Sequence, residues 1–235
     1  MKLIIAKEYV DYNDAMKWFD GIKQGDIDEK IFVLEHKDVY TAGKSVLNNE
    51  NEAVLDAIYN IPVVYTSRGG LWTWHGKGQV VVYFVYNLRK RKMFLSNFLQ
   101  LVEQATLDIV EQEIFDLCNV NSANLGLKLY ADEDRRGFWI NQNDVDDNAK
   151  MKIAKFGFIG LRVSNGFVFH GISINYNNNL EFFNYINPCG LGDVKITSIE
   201  EIVKCSKKKH NHLDINNFKF HLGNSLFKTL NINLV

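Results

Sequence analysis

Three short stretches of the chain hold residue types whose spacing could support covalent chemistry. Asn187-Pro-Cys189-Gly-Leu191 puts a thiol between a proline and a glycine. A sharp, rigid turn holds a thiol still and open on one side, which an attacking group needs and a packed cysteine does not. Cys118 and Cys205 lie in or beside helical patterns, where packing or simple exposure accounts for them. Lys152-Ile-Ala-Lys155-Phe-Gly-Phe-Ile-Gly160 carries a lysine into an otherwise apolar strand. Beside a buried cleft, Lys155 would favour the ionised form of a neighbouring nucleophile; on a solvent face it would do nothing of the kind. The third stretch, Arg68-Gly-Gly with His75-Gly-Lys-Gly-Gln79, sets four glycines and two basic residues within twelve positions. Such glycines let backbone N–H groups approach a ligand without interference from a Cβ, and a tight β connection with incidental charge has the same composition. The block matches neither GxxxxGK[ST] nor GxGxxG, so it is not read as a nucleotide loop.

The elements that must position these residues are legible from periodicity. Tyr9, Ala15, Met16, Phe19 and Ile22 predict a helix over 9–23, followed by a buried strand at 31–34 and further strands at 61–65 and 79–86. The last of these, nearly unbroken in apolarity, is expected to be buried on both faces. Ser96 is a plausible N-cap for a long amphipathic helix ending near Phe115. Asn165-Gly166 between two apolar runs predicts a hairpin with a type I′ turn. A short helix at 180–186, a strand near 194–197 and a capping box of Ser198 with Glu201 complete the reading. Strands and helices alternate without a βαβ rhythm, so an α+β fold is expected, a mixed β-sheet flanked by helices. Residues 1–205 form the expected catalytic domain. Residues 206–235 are expected to be a C-terminal helical extension packed on it, reached through a solvated connection at Lys204 to His212.

The chain has 235 residues with 27 Lys+Arg against 28 Asp+Glu, enough length for one sizeable core and no basic excess of the kind expected where nucleic acid is wrapped. Three cysteines, far apart, make neither a disulfide framework nor a CxxC zinc site. His75 and His170 have no ligand-like partner at short spacing, so no metal is expected. The apolar run at the start is too short for an export signal, and no stretch approaches the ~20 apolar residues of a membrane span, so no membrane association and a cytoplasmic location are expected.

Taken in order, the motifs resemble the lipoyl(octanoyl) transferase family over roughly residues 30–200. The matching pieces are Glu35-His36 with Val39-Tyr-Thr41, Arg68-Gly-Gly-x-x-Thr-x-His75-Gly-x-Gly-Gln79, Lys155 seven residues before Arg162, Phe169-His170-Gly171, and Pro188-Cys-Gly-Leu followed by Thr197-Ser198. The resemblance implies the fold of biotin and lipoate protein ligase catalytic domains. It also implies transfer of an octanoyl group from octanoyl-acyl carrier protein to a lysine of lipoyl domains, those of 2-oxoacid dehydrogenase complexes and the glycine cleavage H protein. No cofactor and no ATP are implied. Cys189 corresponds to the acyl-thioester nucleophile and Lys155 to the lysine that lowers its pKa. Lys152-Ile-Ala also looks like the family's motif, but counting back from Arg162 and Gly160 selects Lys155. Substrate contacts fall on Arg68, Gly69, Gly70, Leu71, Trp72, Thr73, Trp74 and His75, on Phe158, Ile159 and Gly160, and on Gly171, Ile172 and Ser173. His170 is a possible supporting residue, either a core histidine or, with His75, a shaper of the acyl pocket.

Lys77 replaces the proline that the family usually has between the two glycines, which implies a freer loop with a charge at its mouth. Arg89-Lys-Arg-Lys92 is a candidate docking patch for acidic partners or else a solvated run, and Lys207-Lys-Lys209 reads as solvated. An ATP-dependent lipoate-protein ligase, a non-catalytic lipoyl-domain binding protein and a cysteine hydrolase are the alternatives.

Overall fold

The computed structural model describes residues 1–19, 28–47, 57–142, 153–188, 194–206 and 210–232. In chain order the elements are β1 (Lys2–Ile5), α1 (Tyr12–Lys17), β2 (Lys30–Leu34), β3 (Val39–Ala42), α2 (Lys44–Leu47), β4 (Ala57–Ile58), β5 (Ile61–Tyr65), β6 (Trp72–His75), β7 (Gln79–Asn87), α3 (Leu95–Cys118), β8 (Leu127–Asp132), β9 (Gly137–Gln142), β10 (Ile153–Ser164), β11 (Phe167–Asn175), β12 (Lys195–Ile196), α4 (Ile199–Cys205) and α5 (Ile215–Ile232). Short 3₁₀ turns lie at Ala123–Leu125 and Leu180–Tyr185.

The main sheet runs β1-β2-β7-β11-β10-β9-β8, antiparallel except for β1 on β2, with β12 added parallel to β10. A second sheet of four short strands runs β4-β5-β3-β6. The mixed sheet flanked by helices is therefore present, and the smaller sheet is an addition to the sequence reading. Strand β7 is buried on both faces, as its composition predicts. Val80, Val82, Phe84 and Tyr86 pack with Phe98, Val102 and Val110 of α3 and with Phe218, Leu222 and Leu226 of α5. Val81, Tyr83 and Val85 face the other way, toward Tyr12 and Ala15 of α1.

Local chemistry explains where the elements start and stop. Asn165 and Gly166, with φ of 53° and 86°, supply the two left-handed positions of the β10–β11 turn. Ser198 caps α4 by accepting the Glu201 N–H, and Asp11 caps α1. Three expectations need correction. The first helix starts at Tyr12, and its predicted end at 20–23 lies outside the described residues. Helix α3 is entered through Phe94 without a side-chain cap, so Ser96 is already inside it, and it runs to Cys118, where Asn119 at φ 54° closes it. Trp72-Thr-Trp-His75 is a strand and not a connecting loop. The segment after α4 is also tied down in part, since Asn211 donates to the carbonyls of Leu117 and Asp116.

Candidate functional site

The Gly-rich block is held from two sides. Arg68, buried in the bend after β5, donates to the Thr41 carbonyl at 2.7 Å and to its hydroxyl at 2.9 Å, so β3 of the small sheet fixes the guanidinium. The backbone of Gly69 reaches the Leu161 carbonyl on β10, which joins the small sheet to the large one. At the other end, the Gly78 N–H donates to Glu35 Oε2 at 2.9 Å, and the Gly78 carbonyl accepts from Tyr176 and Asn177. Lys77 is exposed, and this loop is pinned through its glycine rather than freed by the missing proline.

Lys155 enters β10 on its buried side. Its side chain is 1% exposed, and Nζ donates to the carbonyls of Arg135 at 3.0 Å and Arg136 at 2.8 Å. The ammonium also stands over the rings of Trp139, at 5.0 Å, and Phe158, at 5.1 Å. Gly137 makes room for it, because a Cβ there would collide with Lys155 Cε. The solvent-face reading of Lys155 is thereby set aside. Lys152 lies outside the described residues. So do Cys189, Gly190 and Leu191, but the chain on each side of them is fixed. Pro188 forms a β-bridge with Trp72. Lys195 and Ile196 pair with Ala154 and Lys155, and the Thr197 N–H donates to the Lys155 carbonyl at 2.9 Å.

The three predicted runs come together around one small cavity of about 60 Å³, partly open to solvent. Residues 68–73, His75, 158–160 and 170–173 all line it. Trp74 does not. Its ring turns to the far side of β6 and stacks on Phe182 at 4.8 Å, as strand alternation from Thr73 and His75 requires. Phe158 belongs to the cavity wall and also lies under the Lys155 ammonium, so the lysine stands behind that part of the wall. Tyr12, Val81 and Tyr83 line it as well and were not anticipated. Tyr83 and Val81 lie on the face of β7 opposite the helix-side core, so period-two alternation in 79–86 is the signal that could have singled them out.

A polar network underlies the wall. His36 Nδ1 donates to the Val10 carbonyl at 2.8 Å, which leaves Nε2 to accept from the Tyr83 hydroxyl at 2.8 Å. Gln79 uses its amide nitrogen on the Trp74 carbonyl and Asn175 Oδ1, so its oxygen accepts from His75 Nδ1 at 2.7 Å. Asn175 continues to the Thr197 carbonyl at 3.0 Å, and Thr197 is the residue bonded to Lys155. Burial pushes His36 down to about 4 and His75 well below the ordinary imidazole value. Burial, then the charges of Arg68 and Arg162, takes His170 down to about 4. Burial raises Tyr12 and Tyr83. At neutral pH the three imidazoles and the two phenols are uncharged. Among the described residues, no group of three or more His, Cys, Asp or Glu side chains could hold a metal ion.

The candidate docking run is not uniform. Arg91 is buried and forks onto Glu29, with Nη2 to Oε2 at 2.7 Å and Nε to Oε1 at 3.1 Å, while Arg89, Lys90 and Lys92 are exposed. No helix among the described residues is long and apolar enough to cross a membrane.

Comparison with known proteins shows what the chain is similar to. A family model for the lipoyl protein ligase A/B catalytic domain matches residues 15–226. The chain is 32% identical over 197 residues to an octanoyltransferase of Neisseria meningitidis, spanning 84% of this chain and 82% of that protein. It is 34% identical over 199 residues to one of Rickettsia bellii, spanning 82% and 85%. Among solved structures, P. falciparum LipL1 in complex with lipoate superposes with a TM-score of 0.56 at 13% identity, covering 100% of this chain and 61% of that one. The biotin protein ligase of Leishmania major with biotinyl-5-AMP gives 0.54 at 14% identity, covering 97% and 73%.

Proposed function

Because the chain belongs to the lipoyl protein ligase A/B catalytic domain family and is an octanoyltransferase of protein lipoylation within it, we propose that it works by a two-step transfer through Cys189, with Lys155 as the group that keeps the thiol ionised. In the first step the Cys189 thiolate attacks the thioester carbonyl of octanoyl-acyl carrier protein. A C–S bond to the enzyme forms as the bond to the carrier's thiol breaks, and the carrier leaves as a thiol. In the second step a lysine amine of the acceptor attacks the octanoyl-thioenzyme. An amide forms, the thiolate is released, and the amine's proton passes to solvent or to a base in the site. Thioester exchange is close to balanced and amide formation runs downhill, so the sequence of steps needs no nucleotide. The acceptors are lipoyl domains, including those of 2-oxoacid dehydrogenase complexes and the glycine cleavage H protein.

The observation that supports the catalytic pair most is the anchoring of Lys155. A buried ammonium is held by two carbonyls and stands over the ring of Phe158, which lines a largely apolar cavity. The strand that follows the Cys189 segment is paired directly to that same lysine. A cation so placed favours a thiolate nearby over a thiol. The apolar part of the wall, Leu71, Phe158 and Ile159, suits an alkyl chain.

Intact-mass measurement after incubation with octanoyl-acyl carrier protein tests the reading. The wild type is expected to gain one octanoyl group that hydroxylamine removes, and Cys189→Ser is expected to gain none of this hydroxylamine-labile kind. Transfer that proceeds without any adduct and only with ATP would replace this mechanism with that of a ligase.

A further inference from the structure

His170 occupies a backbone conformation that its strand does not call for. Residues of β11 alternate between faces: Val168, Ile172 and Ile174 pack in the helix-side core, Phe167 and Phe169 in the opposite one. Alternation would send His170 with Val168 and Ile172 toward the helices. Instead its φ is +58°, a left-handed value that costs a non-glycine residue free energy. Pairing with β7 is registered at Val168 and again at Gly171, with none at the two residues between. The imidazole is turned to the other face, where it meets Phe19 at 5.6 Å and Tyr83 at 6.4 Å. Its Nε2 lies 3.3 Å from the Ser67 hydroxyl, and its buried Nδ1 has no hydrogen-bond partner.

The position gained by this turn is a partition. His170 and Tyr12 line the candidate cavity on one side and a second cavity on the other. The second space is floored by Met16, Phe19, Val64 and Phe169, with Arg162 at its rim. The partition stands at a definite distance from the Phe158 side of the cavity. Phe158, beneath the Lys155 ammonium, pairs with Ser173, and Leu161 pairs with His170. Three residues of strand separate the two pairs, about 10 Å at roughly 3.3 Å per residue. An extended eight-carbon chain reaches about 9 Å, scaled from the rise of roughly 1.2 Å per bond in an extended backbone. A chain whose carbonyl sits at the Phe158 end therefore brings its methyl terminus to the imidazole, which is uncharged when buried in this way.

We propose that His170 is the end wall of the acyl pocket and sets the length of the chain that the enzyme transfers, with the second cavity as the space a longer chain would enter if the wall were removed. The proposal rests on the octanoyl-transfer reading above. Glycine adopts φ near +58° without strain, so His170→Gly removes the wall while suiting the backbone. Transfer rates from octanoyl- and dodecanoyl-acyl carrier protein, and dissociation constants of free octanoate and dodecanoate, are measured for the wild type, H170G, M16W and H170G/M16W. In H170G the preference for twelve over eight carbons is expected to rise about tenfold or more, as four further CH₂ groups leave water. Met16→Trp fills the second cavity, so it should cancel that gain in the double variant and leave octanoyl transfer unchanged on its own. An H170G chain-length ratio equal to that of the wild type would overturn the proposal, as would a gain that M16W does not reduce. Because the fatty-acid constants do not depend on turnover, they decide the matter even for a slow variant. A wild type that transfers no octanoyl group would instead count against the reading of function.

Discussion

At the scale of single residues, the site is distinguished by imidazoles kept neutral. His36 and His75 lie 5.7 Å apart, and His170 lies under the field of Arg68 and Arg162. In the unfolded chain each titrates near 6.5, whereas His36 and His170 are held at about 4 in the fold. Between those values the unfolded chain binds more protons, so stability must rise with pH there. The contribution is complete above about 6.5 and is lost as pH falls toward 4, on the order of 3 kcal/mol for each group. Urea unfolding at pH 7.5 and 4.5 should show a clearly lower midpoint in acid; equal midpoints would contradict the burial of neutral rings. The identities of the cavity-lining runs were legible in the sequence through its resemblance to the lipoyl(octanoyl) transferase family, since glycines and spacing alone left the Gly-rich block open to a tight β connection. The protonation states were not, since they depend on burial and partners such as Val10 and Tyr83 that no spacing in the chain announces. Trp74 departs for a simpler reason: its ring points to the far side of β6, where it stacks on Phe182.

At the scale of elements, the small sheet and α5 do the positioning. Strand β6 hid in the sequence because Trp72-Thr-Trp-His75 is short and flanked by glycines, so its β character was overwritten by its neighbours. Helix α5 was visible as an amphipathic pattern, but its most consequential residue was not. Lys219, 2% exposed, reaches Glu35 at 3.0 Å, and Glu35 is the carboxylate that holds the Gly78 N–H. The loop carrying His75 and Gln79 is thus braced from the last helix. Lys219→Met would leave Glu35 buried without its cation and is expected to cost about 3–5 kcal/mol. Pairing it with Glu35→Gln should recover a good part of that loss. Denaturant titration of the single and double variants checks this; a single variant as stable as the wild type would remove the brace from the account.

At the scale of the whole molecule, a net charge of −1 conceals an uneven distribution. Arg91 is spent internally on Glu29, Tyr86 and the Leu230 carbonyl, so only Arg89, Lys90 and Lys92 remain to face an acidic partner. Changing those three to Glu is expected to slow transfer from carrier protein several-fold and flatten its salt dependence without loss of stability. Unchanged rates at low ionic strength would rule out steering through this patch. Sequence could mark the run but could not divide it, because the buried and exposed members alternate only once the turn after β7 has formed. The brace described above has one more consequence, in time rather than space. Glu35 and Lys219 are 184 residues apart, so at the ribosomal rate of ~5–20 residues per second about 10–40 s pass between the synthesis of one and of the other. A nascent chain can pair β2 with β7 in that interval, but its glycine loop waits for the final helix, so an incompletely made copy has no assembled site with which to capture acyl groups.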